Sequence, residues 1–349
     1  MSSTRERRGL AAALAPLALI AYVPLLLSAR GEIAADTKTY LYLDPSRLLS
    51  RAWSMWDPNI GLGTVTHQTI GYLWPMGPWF WFFDLIGSPD WVAQRLWVAS
   101  IMFAAGAGIV FLLRTLGVRH LPSIVAAALV YELSPYVLHY AARISVILLP
   151  WCVLPWLVAL AHRALTSRSW RAPAAFALLV ATAGGVNATA LVLVGLAPLL
   201  WIVLAVTVHG DATWRDAGRA IVRIGLLTTL TSLWWIAGLW VQGGWGIDIL
   251  RYTETVETVA RTSLASEVLR GLGYWFFYGG DKLGSWIEPG RSYTQDVPLI
   301  AVGFAIPLLA FAGAAVIRWR YRAAALALLA IGTFVAVGAY PYSSPSPAG

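Results

Sequence analysis

Blocks of apolar residues about as long as a membrane is thick constrain this chain more than any other feature. A helix needs about 20 mainly apolar residues to cross the hydrocarbon core of a bilayer. Leu10–Ala29 is such a block, and it follows the basic residues Arg5, Arg7 and Arg8. Because the apolar core of a signal peptide is shorter, about 7–15 residues, we interpret this block as a retained first span.

Eight further apolar blocks follow along the chain. They are Val92–Leu113, Leu121–Leu138, Val146–Leu160, Pro173–Val186, Ala188–Val208, Ile221–Val241, Val297–Ile317 and Ala323–Ala339. The stretch from Pro173 to Val208 is too long for one span, and we divide it at the turn signal Gly184-Gly185-Val186-Asn187. Only 12% of the residues are charged, too few to cover a soluble surface. The sequence predicts an all-α polytopic membrane protein, a helix bundle with about nine spans.

The charges between these blocks indicate an orientation. With a cytoplasmic N-terminus, the predicted inner segments hold 14 basic and three acidic residues, and the outer segments hold 10 basic and 13 acidic residues. Cytoplasmic loops of membrane proteins carry an excess of Lys and Arg. We therefore predict a multi-pass protein of the inner (plasma) membrane whose partner is the lipid bilayer. The net charge of +8 reflects this orientation and does not indicate nucleic-acid binding.

Two predicted outer segments are long enough to carry a functional site, Arg30–Trp91 and Gln242–Asp296. The first contains the apolar stretch Tyr72–Ile86, which is too short and too rich in Pro and Gly to span. We expect short interfacial or re-entrant helices there. Polar residues gather in these outer segments and are almost missing from the spans. That distribution favours an enzyme at the membrane surface over a transporter or lipid flippase, whose polar groups lie at mid-membrane.

A carboxylate just beyond the first span is the leading catalytic candidate. Asp36 belongs to ADTKTYLYLDP, residues 35–45, and would lie where water meets lipid. A carboxylate there could accept a proton from the hydroxyl group of an acceptor. The alternative is that Asp36 caps a short helix beginning at Thr37.

Candidates for substrate binding follow Asp36 in the chain. They are Lys38, Tyr40, Arg47, Asp57, His67, Gln68 and Arg251. Phosphate recognition needs Lys or Arg, although most such cations form solvated pairs or reach lipid headgroups. The glycine-rich stretch Gly61–Tyr72 could line a sugar-sized pocket, with His67 and Gln68 as hydrogen-bond donors. Asp44-Pro45 and Asp57-Pro58 each predict a helix start, with Asp as the N-cap.

Glu132 is the one acid predicted within the membrane, which makes it a functional candidate by default. His139 and Arg143 follow it and could connect it to an outer cavity; the alternative is a structural hydrogen bond between helices. The single cysteine, Cys152, and the scattered histidines have no zinc-ligand spacing. The sequence therefore requires no cofactor, and it leaves a divalent cation open.

Three segments carry a resemblance to a known family. ADTKTYLYLDP, WDPNIGLGTVTHQTIGYLWPMGPWFWFFDLIG (56–87) and PDWVAQRLW (89–97) resemble the N-terminal part of the AftD family of actinobacterial arabinofuranosyltransferases. These are GT-C membrane glycosyltransferases of cell-wall arabinan assembly. The likeness is strongest over Ala35–Trp97 and extends more loosely along the chain. Since family members are several times longer, residues 1–349 are expected to be the first part of a GT-C transmembrane domain.

The resemblance implies a reaction and a site. It implies a polyprenyl-phosphate sugar donor, decaprenylphosphoryl-arabinose, an arabinan acceptor and inversion at the anomeric carbon. Asp36 matches the family's general base, and Lys38 would suit the donor phosphate or the Asp36 carboxylate. An acyl carrier protein docked on the cytoplasmic face is implied as well. The alternatives are a polyprenyl-linked sugar flippase, a GT-C enzyme for another sugar, and a non-catalytic membrane scaffold.

Overall fold

A computed structural model of the chain describes residues 2–34, 37–59, 62–65, 68–141, 143–246 and 248–343. For residues 2–7, 68–70, 249 and 250 the description covers the backbone alone. The chain forms two compact units. The first comprises Met1–Glu132 with Ile144–Asp248, and the second comprises Leu133–Arg143 with Ile249–Gly349. The single membrane domain expected over residues 1–349 stays a prediction.

Most of the described residues are helical. The helices are α1 (Ser2–Leu27), α2 (Thr39–Tyr42), α3 (Pro45–Ser50), α4 (Gln68–Leu73), α5 (Met76–Leu85), α6 (Asp90–Thr115), α7 (Leu121–Glu132), α8 (Pro135–Ala141), α9 (Leu148–Thr166), α10 (Arg171–Gly184), α11 (Ala188–Thr207), α12 (Trp214–Trp245), α13 (Val256–Ala260), α14 (Ala265–Leu269), α15 (Glu288–Gln295), α16 (Val297–Val316) and α17 (Arg322–Val337). Short 3-10 helices cover Ser145–Ile147, Ile249–Tyr252 and Trp275–Tyr278. Two antiparallel hairpins pair β1 (Trp56–Asp57) with β2 (Thr64–Val65), and β3 (Gly280–Asp281) with β4 (Gly284–Ser285).

Six helices in the described part of the chain are long and apolar enough to cross a membrane. They are Arg8–Leu27, Asp90–Thr115, Ser145–Thr166, Ala188–Thr207, Trp214–Trp245 and Val297–Val316. The interrupted pair α7 and α8 makes a seventh if it is counted as one span. The predicted class, a helical polytopic membrane protein, is confirmed. The predicted count of nine spans is not confirmed. Helices α10 and α17 have 14 and 16 residues, and a span typically needs about 20.

The block predicted as one continuous span, Leu121–Leu138, is broken. Helix α7 ends at Glu132 and α8 begins at Pro135. Proline has no backbone N–H to donate, and it disfavours a helical conformation at the residue before it. Hydropathy alone could not show this break, because the residues on both sides of it are apolar.

Helix α9 lies at the centre of the first unit, where it packs against α6, α10, α11 and α12. Its close approach to α6 depends on Gly108, because a Cβ there would lie 2.6 Å from Nε1 of Trp156. That Nε1 donates a hydrogen bond to the carbonyl of Ala104 at 2.8 Å. Ala13 and Leu17 of α1 are buried together with Val110 of α6 and with Ile124 and Ala128 of α7, so the first span packs on α6 and α7.

The break between α10 and α11 lies where the turn signal predicted it. Helix α10 ends at Gly184, and Asn187 caps the first turn of α11 with its side chain. Helix α4 packs against this break, since a Cβ on Gly71 would lie 3.1 Å from the carbonyl oxygen of Gly185. The segment that follows the first span is thus fixed to the membrane helices.

Glu132 is fully buried at the end of α7. A Cβ on Gly106 would lie 2.3 Å from its Oε2, so this glycine makes room for the carboxyl group against α6. Neither carboxyl oxygen has a hydrogen-bond partner among the described residues, and the interhelical hydrogen bond considered above is therefore wrong. His139 and Arg143 each bond a backbone carbonyl within the second unit.

Arg223 of α12 binds the C-terminal end of α9. Its Nη2 donates to the carbonyls of Ala164 (2.8 Å) and Ser167 (3.2 Å), and its Nη1 donates to the carbonyl of Ser169 (3.0 Å). The last carbonyls of a helix have no partner within the helix, and a basic side chain can satisfy them. Arg223 therefore acts as a cap that joins α12 to the turn between α9 and α10.

In the second unit a buried ion pair connects three helices. Arg270, directly after α14, donates through Nη1 to Oε1 of Glu267 at 2.7 Å and through Nη2 to the carbonyl of Tyr293 in α15 at 2.7 Å. Its guanidinium lies 4.8 Å from the ring centroid of Phe304 in α16. The hydroxyl of Tyr278 donates to Oε2 of Glu267 at 2.8 Å, which leaves both carboxylate oxygens bonded.

Candidate functional site

The chain between α1 and α4 forms a pocket of about 340 Å³ within the first unit. Polar and charged side chains from α2, α3 and β1 form much of its lining. The lining residues are Thr39, Tyr40, Leu43, Asp44, Arg47, Leu48, Arg51, Ser54, Met55, Trp56, Asp57 and Asn59. Pockets that bind small ligands typically measure about 300–1,000 Å³, so this volume suits a small substrate or part of a larger one.

Asp44 starts helix α3, which contains Arg47 and is followed directly by Arg51, the second arginine of the pocket. Its side chain accepts a hydrogen bond from the backbone N–H of Arg47 at 2.9 Å, and Pro45 occupies the first helical position. The predicted N-cap is confirmed. The Asp44 side chain accepts a hydrogen bond from a backbone N–H that has no partner within the helix, and Pro45 has no N–H that would need one. Arg47 and Arg51 are then one turn apart and both line the pocket.

The helix start predicted at Asp57-Pro58 is wrong. Asp57 lies in β1, and its Oδ1 accepts from the backbone N–H of Asn59 at 2.9 Å and from the Asn59 side-chain amide at 3.1 Å. Asp-Pro is common in turns as well as at helix starts, and here Asp57 stabilises a turn. The backbone hydrogen bond from Asn59, followed by its side-chain amide and the charge of Arg51, holds the pKa of Asp57 below its ordinary value.

Arg51 connects α3 to the hairpin. Its Nη1 lies 3.5 Å from Oδ1 of Asp57, and its Nη2 donates to the carbonyl oxygen of Trp56 at 3.2 Å. The indole of Trp56 lies over Gly63, whose φ of +101° is readily adopted only by glycine. A Cβ at Gly63 would lie 2.2 Å from Cζ2 of Trp56. Trp56 is thereby held at the pocket while 51% of its surface stays exposed.

Tyr40 supplies a hydroxyl group on the α2 side of the pocket. This oxygen is buried and has no hydrogen-bond partner among the described residues. The ring of Tyr40 meets that of Tyr72 edge-on, with 6.1 Å between centroids. Burial, and then the neighbouring Tyr72, raise the pKa of Tyr40 above its ordinary value, so the phenol is neutral at physiological pH. Lys38 lies nearby, with Nζ 6.0 Å from the Tyr72 ring centroid.

The pocket brings together three of the predicted substrate-binding residues, Tyr40, Arg47 and Asp57. Trp56 and Asn59 also line the pocket but were not predicted as binding residues. They could have been found from their positions on either side of Asp57, in a hairpin that depends on Gly63. Short strands of two residues leave no alternating pattern that would reveal such a hairpin.

The other candidates are distributed more widely. Asp36 and His67 lie outside the described residues, and Gln68 begins α4 with its side chain undescribed. Arg251 is exposed in a 3-10 helix of the second unit. No group of three or more His, Cys, Asp or Glu side chains that could hold a metal occurs among the described residues.

The capping role considered for Asp36 required a helix from Thr37. The helix instead begins at Thr39, with Lys38 at the N-cap position and no side-chain capping bond. The N-cap is the residue directly before the first helical residue, so Asp36 is not at that position. The catalytic role of Asp36 stays a prediction.

The apolar helices and the polar pocket that follows the first of them define a multi-pass helical membrane protein with a polar pocket outside its spans. Over residues 20–349 the chain matches the family described as alpha-(1->3)-arabinofuranosyltransferase, N-terminal GT-C domain, and it belongs to that family. The predicted family resemblance is confirmed.

Curated relatives and solved structures agree with this assignment. The chain is 35% identical over 251 residues to the alpha-(1->3)-arabinofuranosyltransferase of Mycobacterium tuberculosis and 31% identical to that of Mycolicibacterium smegmatis. Each alignment covers 70% of this chain and 17% of the relative, so the chain spans about a sixth of their length.

Cryo-EM structures of the arabinofuranosyltransferase AftD from mycobacteria share its fold. One superimposes with a TM-score of 0.60 at 27% identity and covers 96% of this chain and 25% of that one. A structure of the R1389S mutant gives a TM-score of 0.65 at 26% identity, covering 93% of this chain and 28% of that one.

Proposed function

We propose that the protein transfers arabinofuranose from a polyprenyl-phosphate donor, decaprenylphosphoryl-arabinose, to cell-wall arabinan, with inversion at the anomeric carbon. The observation that carries the proposal is that the segment of strongest resemblance, residues 35–97, forms the pocket of Tyr40, Arg47 and Asp57. The same stretch lies within the match to the arabinofuranosyltransferase family. One fold can carry many different reactions. The polar pocket supports arabinofuranosyl transfer in particular, because it is formed by the segment that most resembles the arabinofuranosyltransferase family.

In the proposed reaction a hydroxyl oxygen of the acceptor attacks the anomeric carbon of the donor. Its proton passes to the carboxylate of Asp36, and the bond between the anomeric carbon and the phosphate oxygen breaks. The lipid phosphate leaves with the bonding electron pair. Lys38, two residues from Asp36, supplies a positive charge for that phosphate. General-base catalysis of this kind contributes about 10²–10⁴ in rate.

The proposed setting is the outer face of the inner membrane, with a cytoplasmic N-terminus and nine spans. In this arrangement α10 and α17 are short spans that complete the bundle. The basic loops would then face the cytoplasm, where an acyl carrier protein would meet them. The excess of Lys and Arg in the predicted inner segments supports this orientation.

An assay in membranes containing the protein tests the proposal. Radiolabelled polyprenyl-phospho-arabinose and a synthetic arabinan acceptor are supplied, and label in the acceptor is measured for Asp36→Asn and for Asp84→Asn. Asp84 is exposed near the end of α5 and serves as the matched control. We expect transfer to fall at least about 10²-fold in Asp36→Asn and to be unchanged in Asp84→Asn.

Two outcomes would contradict the proposal. Transfer by Asp36→Asn at the wild-type rate would remove Asp36 from the mechanism. Movement of the labelled donor across the membrane by the wild-type protein, without any transfer to the acceptor, would assign it to the flippase class.

A further inference from the structure

We infer that the pocket beside Trp56 binds a furanose residue of the arabinan acceptor, with the Trp56 indole as the surface on which the sugar stacks. The inference rests on the proposed function, because it names the substrate that this part of the site recognises. It assigns separate roles to neighbouring parts of one segment: the acceptor at Trp56, and the donor phosphate at Lys38.

The charges of the pocket favour a neutral ligand over a phosphate. Two aspartates and two arginines line it, Asp44, Asp57, Arg47 and Arg51, so their formal charges cancel. Arg51 is engaged with Asp57, and Asp44 is used as a helix cap. A phosphate dianion binds best where Arg or Lys side chains are in excess. A sugar carries no charge and gains hydrogen bonds from both the donors and the acceptors of such a lining.

The same charges argue against a polyprenyl chain in this pocket. Burying a charged side chain against hydrocarbon is costly unless the charge is paired and fully hydrogen-bonded. The Arg51–Asp57 distance of 3.5 Å, with about a third of each side chain exposed, is typical of a pair that still uses water. Arabinan, which is hydroxyl-rich and water-soluble, would keep these groups solvated.

Trp56 provides the apolar surface that sugar recognition needs. One face of a furanose ring presents mainly C–H bonds, and an aromatic ring offers a large, rigid surface for such a face. Trp56 is half exposed, and Gly63 and Arg51 hold it in position before any ligand arrives. A side chain that is already ordered loses little entropy on binding.

Polar groups for the sugar hydroxyls line the same pocket as the Trp56 indole. Asn59 offers an amide, Asp57 has a second carboxylate oxygen, and Tyr40 contributes the phenolic hydroxyl that lacks a partner among the described residues. A buried hydroxyl without a hydrogen bond is costly, and a ligand that supplies the partner removes that cost. The pocket therefore combines an aromatic face with polar groups at its edge.

Binding of a synthetic arabino-oligosaccharide, without donor, tests the inference. Isothermal titration calorimetry of the purified protein in lipid nanodiscs is compared for wild type, Trp56→Phe, Trp56→Ala and Trp53→Ala. Trp53 is the matched control, because it is 88% exposed in the same segment and does not line the pocket. We expect Kd to rise at least about tenfold in Trp56→Ala, less in Trp56→Phe, and not at all in Trp53→Ala.

Gly63→Ala is a second variant that leaves Trp56 in the chain. The added methyl group would collide with the indole, so this variant should weaken oligosaccharide binding as Trp56→Ala does. Circular dichroism at 222 nm checks that each variant remains helical. Wild-type affinity in both Trp56→Ala and Gly63→Ala would overturn the inference.

Transfer kinetics separate the two possible sources of the sugar. If the acceptor binds here, Trp56→Ala raises the KM for acceptor and leaves kcat and the KM for donor unchanged. A raised donor KM with an unchanged acceptor KM would overturn the inference in favour of the donor sugar. If wild-type protein binds the oligosaccharide at Trp56 but transfers no arabinose, the proposed function fails while the binding site stands.

Discussion

Arg51, directly after α3, and Asp57 of β1 meet across the turn that joins the helix to the strand, with 3.5 Å between Nη1 and Oδ1. The same arginine holds the carbonyl of Trp56, so one side chain fixes both residues of the first strand. The position of the Trp56 indole at the pocket depends on this contact and on Gly63 behind it.

Replacement of Arg51 by Ala should weaken oligosaccharide binding more than it weakens the fold. An ion pair whose side chains are each about a third exposed contributes less than about 1 kcal/mol to the free energy of unfolding, so the thermal midpoint should change little. Kd should rise several-fold, because the hairpin loses its connection to α3. Arg51→Lys keeps the charge but lacks the planar fork whose two nitrogens reach Asp57 and the Trp56 carbonyl separately. Wild-type binding by Arg51→Lys would show that charge alone suffices.

The affinity for oligosaccharide should be independent of pH from neutral pH down to about 4, and should fall below that. The pKa of Asp57 is lowered, mainly by the backbone N–H of Asn59, so its carboxylate is the favoured form in the folded hairpin. The charged Asp57 carboxylate stabilises the hairpin fully above the pKa that it has in the unfolded chain, about 3.9. This stabilisation is lost as the pH falls through the lower pKa that Asp57 has in the folded hairpin. Titration calorimetry between about pH 7 and about pH 2.5 measures this decline. Asp57→Asn should lack it.

Tyr40→Phe should leave the protein at least as stable as wild type while weakening acceptor binding. The Tyr40 hydroxyl is buried without a partner among the described residues, and its removal cancels a desolvation cost. Thermal unfolding in nanodiscs should give an equal or higher midpoint, and the acceptor KM should rise. A lower midpoint would indicate that this hydroxyl has a structural partner.

Gly106→Ala should destabilise the first unit. The added Cβ would lie 2.3 Å from Oε2 of Glu132, which is fully buried, and overpacking of this kind costs about 1–3 kcal/mol. Gly195→Ala in α11 is the control, since a Cβ there has no neighbour within 4 Å. The double variant Gly106→Ala/Glu132→Ala should lose less free energy of unfolding than the two single variants lose together. Additive effects would show that the two residues do not compete for space.

Arg270→Met should destabilise the second unit strongly, because it leaves Glu267 partly buried without its cation. Removing one partner of a buried ion pair costs about 3–5 kcal/mol. The comparison pair is Glu257 of α13 and Arg261 directly after it, which are four residues apart instead of three and are 46% and 71% exposed. Arg261→Met should therefore change the free energy of unfolding by less than about 1 kcal/mol. Chemical denaturation of both variants in mild detergent gives the comparison.

Structural features that depend only on residues close together in the chain could be predicted from the sequence. The Asp44 cap and the break at Asn187 depend on a side chain reaching its own backbone three residues on, and both were predicted. Asp57 has the same Asp-Pro pattern as Asp44 but lies in a hairpin, whose formation depends on residues up to Val65 across the turn. Local pattern could not distinguish these two outcomes.

Contacts between distant residues were beyond the sequence. Nothing in the apolar run of α6 marks Gly106 as the neighbour of Glu132, because the contact depends on how α6 and α7 pack. Three residues of the pocket could nevertheless be predicted, because they do not depend on contacts between distant parts of the chain. Tyr40, Arg47 and Asp57 are close in sequence, and a short segment bounded by a span and a docked helix brings its polar side chains together.

Arg223 has a consequence for any search for a cytoplasmic partner. The positive-inside rule counts it among the charges of an inner loop, yet its donors are taken up by three carbonyls at the end of α9. Charge reversal there would remove three hydrogen bonds from the turn between α9 and α10, and the resulting loss of stability would imitate the loss of a docking contact. Mutational mapping of such a partner is better begun at Arg168, Arg171 and Arg215, with Arg223 kept as a probe of folding.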